Sequence, residues 1–189
     1  MMTGMSTPRT GADAATAPPI PNAHTLSVLV ENTPGVLTRV CALFARRDFN
    51  IASLAVGPTE HPEISRITVV VDADQQPVEQ ITRQLDKLVN VLKIVQLDPR
   101  KSVVRELMLI KVGADDSSRS GVLDIVQMFR AKVVDASSDA LTIEATGTQD
   151  KLHALLSMLE AHGIREIVQS GAVALSRGGT SITDRALLA

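Results

Sequence analysis

Apolar and polar residues follow two clear periods in the first half of the chain. Strand-like runs, rich in β-branched residues and alternating with period two, occur at residues 24–30, 50–56, 64–71 and 91–97. Apolar residues at helical spacing occupy residues 33–47 and follow Pro77. The pattern therefore predicts the order strand, helix, strand, strand, helix, strand.

The second half of the chain repeats this order. Strands are expected at residues 103–112, 132–136, 140–145 and 164–169, and helices at 121–131 and 148–161. In such an order two helices cover one face of an antiparallel sheet, which is the ferredoxin-like βαββαβ arrangement. We expect an α+β fold class with two ferredoxin-like domains in tandem.

These elements place the two domains at residues 24–98 and 103–175, joined by a short polar link. Residues 1–23 contain four prolines and few charges. Such a segment cannot bury enough apolar surface to fold. We expect a disordered leader at residues 1–23 and a loose tail at residues 177–189.

Composition excludes several classes of function. The net charge is −2 without a basic block, and three Phe are the only aromatic residues, so nucleic-acid binding is not expected. No apolar run approaches the ~20 residues that span a bilayer. The single cysteine, Cys41, excludes an intrachain disulfide and is typical of a reducing compartment. We therefore expect a cytoplasmic protein that binds neither nucleic acid nor membrane.

No catalytic or metal-binding pattern is recognisable. The chain lacks G-x-G-x-x-G, a Walker loop and G-x-S-x-G. Its four histidines are scattered and there is no cysteine pair, so we expect no metal site. We likewise expect no catalytic residue and no cofactor in this chain. An enzyme with an unrecognised site in the C-terminal half is the alternative.

The strand-to-helix corner at residues 31–37 has the chemistry of a ligand site. Thr33 can cap the helix, Pro34 suits its first position, and Gly35 leaves the backbone open to approach. Free amides at a helix N-terminus attract a carboxylate, and Asn32 adds an amide side chain. These residues predict a binding site for a small amino acid. The alternative is that Pro34 and Gly35 only turn the chain. The second half has no Asn-x-Pro-Gly corner, so we expect the site only in the N-terminal domain.

Two segments are more specific than the Pro-Gly corner Glu31-Asn32-Thr33-Pro34-Gly35-Val36-Leu37 that they accompany. They are Asn50-Ile51-Ala52-Ser53-Leu54 and Leu175-Ser176-Arg177-Gly178. With the rest of residues 24–178 they resemble the family of regulatory small subunits of acetolactate synthase, also called acetohydroxyacid synthase, whose N-terminal part is an ACT domain.

This resemblance implies a non-catalytic partner of a large subunit that uses thiamine diphosphate and Mg²⁺ to make acetolactate or acetohydroxybutyrate from pyruvate. It implies that the small subunit activates the large one and confers feedback inhibition by branched-chain amino acids, mainly valine. A free-standing ACT amino-acid sensor, acting on another enzyme or on transcription, is the alternative function.

The resemblance also implies a homodimer with the ligand between two ACT domains. The contacts it implies come from Asn32, Gly35, Val36 and Leu37 of one protomer and from Asn50 and Ile51 of the other. The residue types agree, because amides can bind the ligand carboxylate and asparagine carbonyls can accept from its ammonium. Asn50 opens the second strand, an edge strand in this topology, which can pair with its two-fold mate.

Overall fold

Two units make up the part of the chain that the structure describes, residues 23–72 and 77–183 of a computed structural model. The first unit contains the described residues of 23–105 together with 171–183. The second unit is Glu106–Ser170. The expected leader lies almost wholly outside the described residues, as do residues 184–189 of the expected tail.

The first unit has the strand and helix order that the sequence predicts. The elements are β1 Ala23–Glu31, α1 Val36–Arg46, β2 Ile51–Pro58, β3 Ile64–Asp72, α2 Val78–Leu85 and β4 Val91–Leu97. The four antiparallel strands lie in the order β2-β3-β1-β4, so β2 and β4 are the edges of the sheet.

The core of the first unit lies between its helices and one face of the sheet. Strand alternation turns Leu26, Val28 and Ile67 toward Phe44 of α1 and Ile81 of α2, and these side chains are almost fully buried. Burial of each such side chain stabilises the fold by roughly 1.5–3 kcal/mol. The opposite face, called the helix-free face below, carries the alternate residues of the same strands. They include Ser27, Leu29, Arg66 and Thr68.

The C-terminal segment, residues 171–183, covers the helix-free face of the first unit. Its strand β9, Val173–Ser176, pairs antiparallel with the first four residues of β5, Ser102–Gly113, and packs against β1 and β4. This strand was not predicted, and it places the end of the expected second domain, 103–175, in the first unit. The contacts continue beyond it: the Arg177 N–H donates to the Lys101 carbonyl at 2.7 Å, and Thr183 is fully buried. Residues 177–183 are therefore not the loose tail that was expected.

A glycine allows this segment to cross the edge strand closely. Gly171 has φ +78°, and a Cβ placed there would lie 2.9 Å from the Leu54 carbonyl oxygen and 3.0 Å from the Ser53 hydroxyl. The Ala172 N–H donates to that hydroxyl at 2.7 Å. Only glycine adopts this conformation at this distance without strain.

The second unit repeats the same topology. Its helices and remaining strands are α3 Arg119–Met128, β6 Lys132–Ala136, β7 Ala140–Gly147, α4 Gln149–Leu159 and β8 Ile164–Gln169. The strands of its sheet lie in the order β6-β7-β5-β8. Met108, Ile110 and Ile143 pack against Leu152 and Leu156 in its core. The prediction of an α+β fold with two ferredoxin-like domains is confirmed. No helix in the described ranges has the length and apolar character needed to cross a membrane.

Candidate ligand-binding site

The corner between β1 and α1 turns at Gly35. This residue is the N-cap of α1, with φ +84° and ψ −6°, and the helix begins at Val36. No side chain of the described residues caps the helix, so the prediction that Thr33 caps it and that Pro34 is its first residue is wrong. The left-handed turn at Gly35 explains the difference, because it moves the start of the helix beyond both residues.

The start of α1 presents backbone amides that have no acceptor in the described part of the chain. Among the described residues, nothing accepts from the N–H groups of Gly35, Leu37 and Thr38, and the Val36 nitrogen lies 3.5 Å from the Thr33 carbonyl oxygen. The corner is exposed to solvent. These N–H groups carry the positive end of the helix dipole, so they can bind a carboxylate.

Asn32 is held beside this corner by two hydrogen bonds. Its side-chain Nδ2 donates to the Pro62 carbonyl at 2.9 Å, and its backbone N–H donates to the Glu63 carbonyl at 2.7 Å. The side-chain nitrogen is therefore directed at the protein, and the Oδ1 acceptor remains for a ligand. A ligand ammonium is a donor that suits this oxygen.

The other residues of the predicted site differ in what they can offer. The Val36 side chain is 5% exposed and belongs to the core, so only its backbone N–H could meet a ligand. Leu37 is 41% exposed and can offer its side chain as well.

Asn50 and Ile51 lie at the opposite end of the sheet from the corner. Glu31 pairs with Ile64 at the start of β3, whereas Ile51 pairs with Val71 near its end. Seven residues of strand at about 3.4 Å each separate the two places by roughly 24 Å. One chain therefore does not bring the two halves of the predicted site together.

A polar chain of residues, which the sequence did not indicate, fixes the corner to the start of β4. Arg39 Nη1 donates to Asn90 Oδ1 at 2.6 Å, and Asn90 Nδ2 donates to a carboxylate oxygen of Glu31. The backbone carbonyl of Asn90 also accepts a hydrogen bond from the Glu31 N–H at 3.0 Å. These hydrogen bonds fix the position of the corner. No apolar period or motif indicates Asn90 in the sequence.

The corresponding corner of the second unit has a carboxylate of its own. Asp115 accepts hydrogen bonds from the N–H and hydroxyl groups of Ser117 and Ser118 just before α3. The two serine hydroxyls and the Ser118 N–H lower the pKa of Asp115 from 3.8 to about 2. A side-chain anion therefore binds the backbone amides just before α3, whereas no carboxylate of the described residues binds the Gly35 amide.

Two family models match the chain, one in each half. The model described as AHAS small subunit-like ACT domain matches residues 26–93, and the model described as small subunit of acetolactate synthase matches residues 105–178.

Individual relatives agree with the family models. The chain is 62% identical over 162 residues to the acetolactate synthase small subunit of Mycobacterium bovis, covering 86% of this chain and 96% of the relative. It is 45% identical over 163 residues to a probable acetolactate synthase small subunit of Methanothermobacter thermautotrophicus, covering 86% and 97%. The crystal structure of the acetolactate synthase small subunit from Thermotoga maritima is similar with a TM-score of 0.77 and 40% identity, covering 84% of this chain and 99% of that one.

Proposed function

Because the chain belongs to the family of acetolactate synthase small subunits, we propose that it is the non-catalytic regulatory partner of a catalytic large subunit. In this proposal it activates the large subunit and makes it sensitive to feedback inhibition by valine. The large subunit supplies the catalytic residues, thiamine diphosphate and Mg²⁺. The complex works in the cytoplasm on the route to the branched-chain amino acids.

The open amides at the start of α1 are the observation that carries this proposal. A free amino acid presents a carboxylate and an ammonium about one carbon apart. The N–H groups of Gly35, Leu37 and Thr38 suit the carboxylate, and Asn32 Oδ1 suits the ammonium. The matching corner of the second unit carries the Asp115 carboxylate beside the amides of Ser117 and Ser118, and this charge would repel a ligand carboxylate there.

The edge position of β2 supports a site shared between two copies. An edge strand has a row of backbone N–H and C=O groups free to pair with another strand. Antiparallel pairing of β2 with its two-fold mate brings the first residues of one strand beside the last residues of the other. The last residue of β2, Pro58, pairs with Ser65 at the end of the sheet that carries the corner. In such a dimer Asn50 and Ile51 of the second copy approach the corner that they cannot reach within one chain.

The bound ligand would then contact both copies of the chain. Valine at the interface between them favours one arrangement of the two copies, and the large subunit responds to that arrangement. Couplings of this kind are typically about 1–3 kcal/mol, or roughly 5- to 150-fold in affinity. The Ile51 side chain and the exposed part of Leu37 can surround the isopropyl group.

Reconstitution with the large subunit tests the proposal. We expect the full chain to co-purify with that subunit, to raise its turnover of pyruvate in the presence of thiamine diphosphate and Mg²⁺, and to make turnover fall when valine is added. Turnover by this chain alone would contradict a non-catalytic role. Valine binding without any effect on a large subunit would favour the free-standing sensor instead.

A further inference from the structure

We propose that the first unit holds a second small-molecule site, in a cavity on the helix-free face of its sheet, for an amphipathic carboxylate. This face is opposite to α1 and α2, and the cavity has no residue in common with the proposed valine site. The proposal therefore does not depend on the valine site.

The cavity lies under the C-terminal segment and has a volume of about 750 Å³. All of its lining residues belong to the first unit. Pockets for small organic ligands commonly have volumes of roughly 300–1,000 Å³ and mostly apolar walls. Here the apolar wall comes from both the sheet and the C-terminal segment, and it includes Leu97, Val103, Leu175 and Ile182.

A buried hydroxyl without a partner is the first sign that the cavity is a built site. Ser27 is 1% exposed, and its Oγ has no hydrogen-bond partner among the described residues. Ser27 lines the cavity from the middle of β1 and is paired across the strands with Thr68, which lines it too. Buried polar groups in native proteins are almost always satisfied, so an unsatisfied hydroxyl facing a cavity indicates a polar group of a ligand.

An arginine on the neighbouring strand is the second sign. Arg66 also lines the cavity, and its Nε is buried without a partner in the described part of the chain. The hydrogen bond that the guanidinium donates from Nη2 to the Thr183 hydroxyl is long, at 3.5 Å. A planar guanidinium with a buried, free N–H suits a carboxylate, which can accept from two of its nitrogens.

The charge around the cavity fits a monoanion. Arg66 and Arg105 line it together with one acidic residue, Glu60, so the balance is one positive charge. Ser27 and Arg66 lie on the sheet, whereas Leu175 and Ile182 lie on the covering segment. A ligand with a carboxylate head and an aliphatic body matches both sets of groups.

Octanoate, with octan-1-ol as the uncharged control, is a suitable probe. We expect isothermal titration calorimetry on the full-length wild-type chain to show saturable binding of one octanoate per chain, and weaker binding of octan-1-ol. Arg66→Gln should weaken octanoate binding by about tenfold or more, since it removes a charged donor. The matched control is Arg83→Gln, which makes the same charge change at an exposed position on α2 and should leave binding unchanged.

Ser27→Ala separates a ligand role from a structural one. Removal of an unsatisfied buried hydroxyl should keep or raise the melting temperature while it weakens octanoate binding several-fold. Absence of saturable octanoate binding, or equal binding by wild type and Arg66→Gln, would overturn the proposal. Valine binding serves as an independent readout, because these variants should leave it unchanged whether or not the second site exists.

Discussion

Gly35→Asp is the substitution that most directly probes the open amides. A Cβ at Gly35 would have no atom within 4 Å, so the first atom of the new side chain meets no steric barrier. The backbone has φ +84°, a conformation that costs a non-glycine residue roughly 1–2 kcal/mol. Asn and Asp tolerate it better than other residues, so Gly35→Asn is a matched control with the same shape and no charge.

The expected loss of affinity comes from repulsion between two carboxylates. An aspartate at position 35 lies beside the amides that would bind the valine carboxylate. Two like charges 4 Å apart repel by about 1 kcal/mol in water and about 4 kcal/mol at an effective dielectric constant of 20. Valine affinity should therefore fall by roughly 5-fold to 1,000-fold relative to Gly35→Asn.

Two assays measure this difference. Titration calorimetry on the full chain reports valine affinity, and inhibition of the reconstituted complex reports the regulatory effect. The melting temperatures of the Asp and Asn variants should be similar, since both carry the same backbone strain. Equal valine affinity in the two variants would show that the amides at Gly35 do not bind the ligand carboxylate.

Three other substitutions test separate features of the chain. Asn32→Ala should weaken valine binding by about tenfold or more in calorimetry, because a charge-assisted hydrogen bond is lost; unchanged binding would remove this residue from the site. Gly171→Ala should lower stability by roughly 1–3 kcal/mol in chemical denaturation, owing to its φ of +78° and the nearby Leu54 carbonyl, whereas Gly57→Ala, with open space, should not. Asp115→Asn should make the melting temperature fall less steeply at acidic pH. The pKa of Asp115 is about 2 in the folded chain and 3.8 as the ordinary value, so the carboxylate stabilises the native state above pH 3.8. This contribution is lost as the pH falls toward 2. An unaltered pH profile would contradict that role.

The order of the elements could be predicted because it depends on local periodicity. The helical spacing of Val78, Ile81 and Leu85 and the alternation in β3 are visible in the sequence, and both elements form where expected. Strand β9 could not be predicted in the same way. Its partner is the start of β5, and nothing within Val173–Ser176 indicates that this segment returns to the first unit.

The chemistry of the corner was only partly predictable. Residue types indicated an amide-rich turn, but the position of the cap depends on the backbone conformation of Gly35, which Thr33 and Pro34 do not determine. The support from Asn90 depends on tertiary contact between distant loops. The buried, unsatisfied hydroxyl of Ser27 likewise becomes visible only when the C-terminal segment covers the sheet.

The placement of Asn50 has a consequence for how the proposed site can form. The corner and Asn50 lie at opposite ends of one sheet, so proximity within a chain cannot explain a site that uses both. A second copy that pairs along β2 can bring its Asn50 close to the corner. Dimer formation and valine binding are therefore coupled in this account, and dilution below the dimer dissociation constant should weaken valine binding.

A crystal structure of the full chain grown with valine would show where the ligand binds. We expect the valine carboxylate to accept hydrogen bonds from the amides at residues 35–38 of one copy, with Asn50 of a second copy within hydrogen-bond distance of the ligand. Valine bound within a single chain, or bound away from this corner, would contradict it.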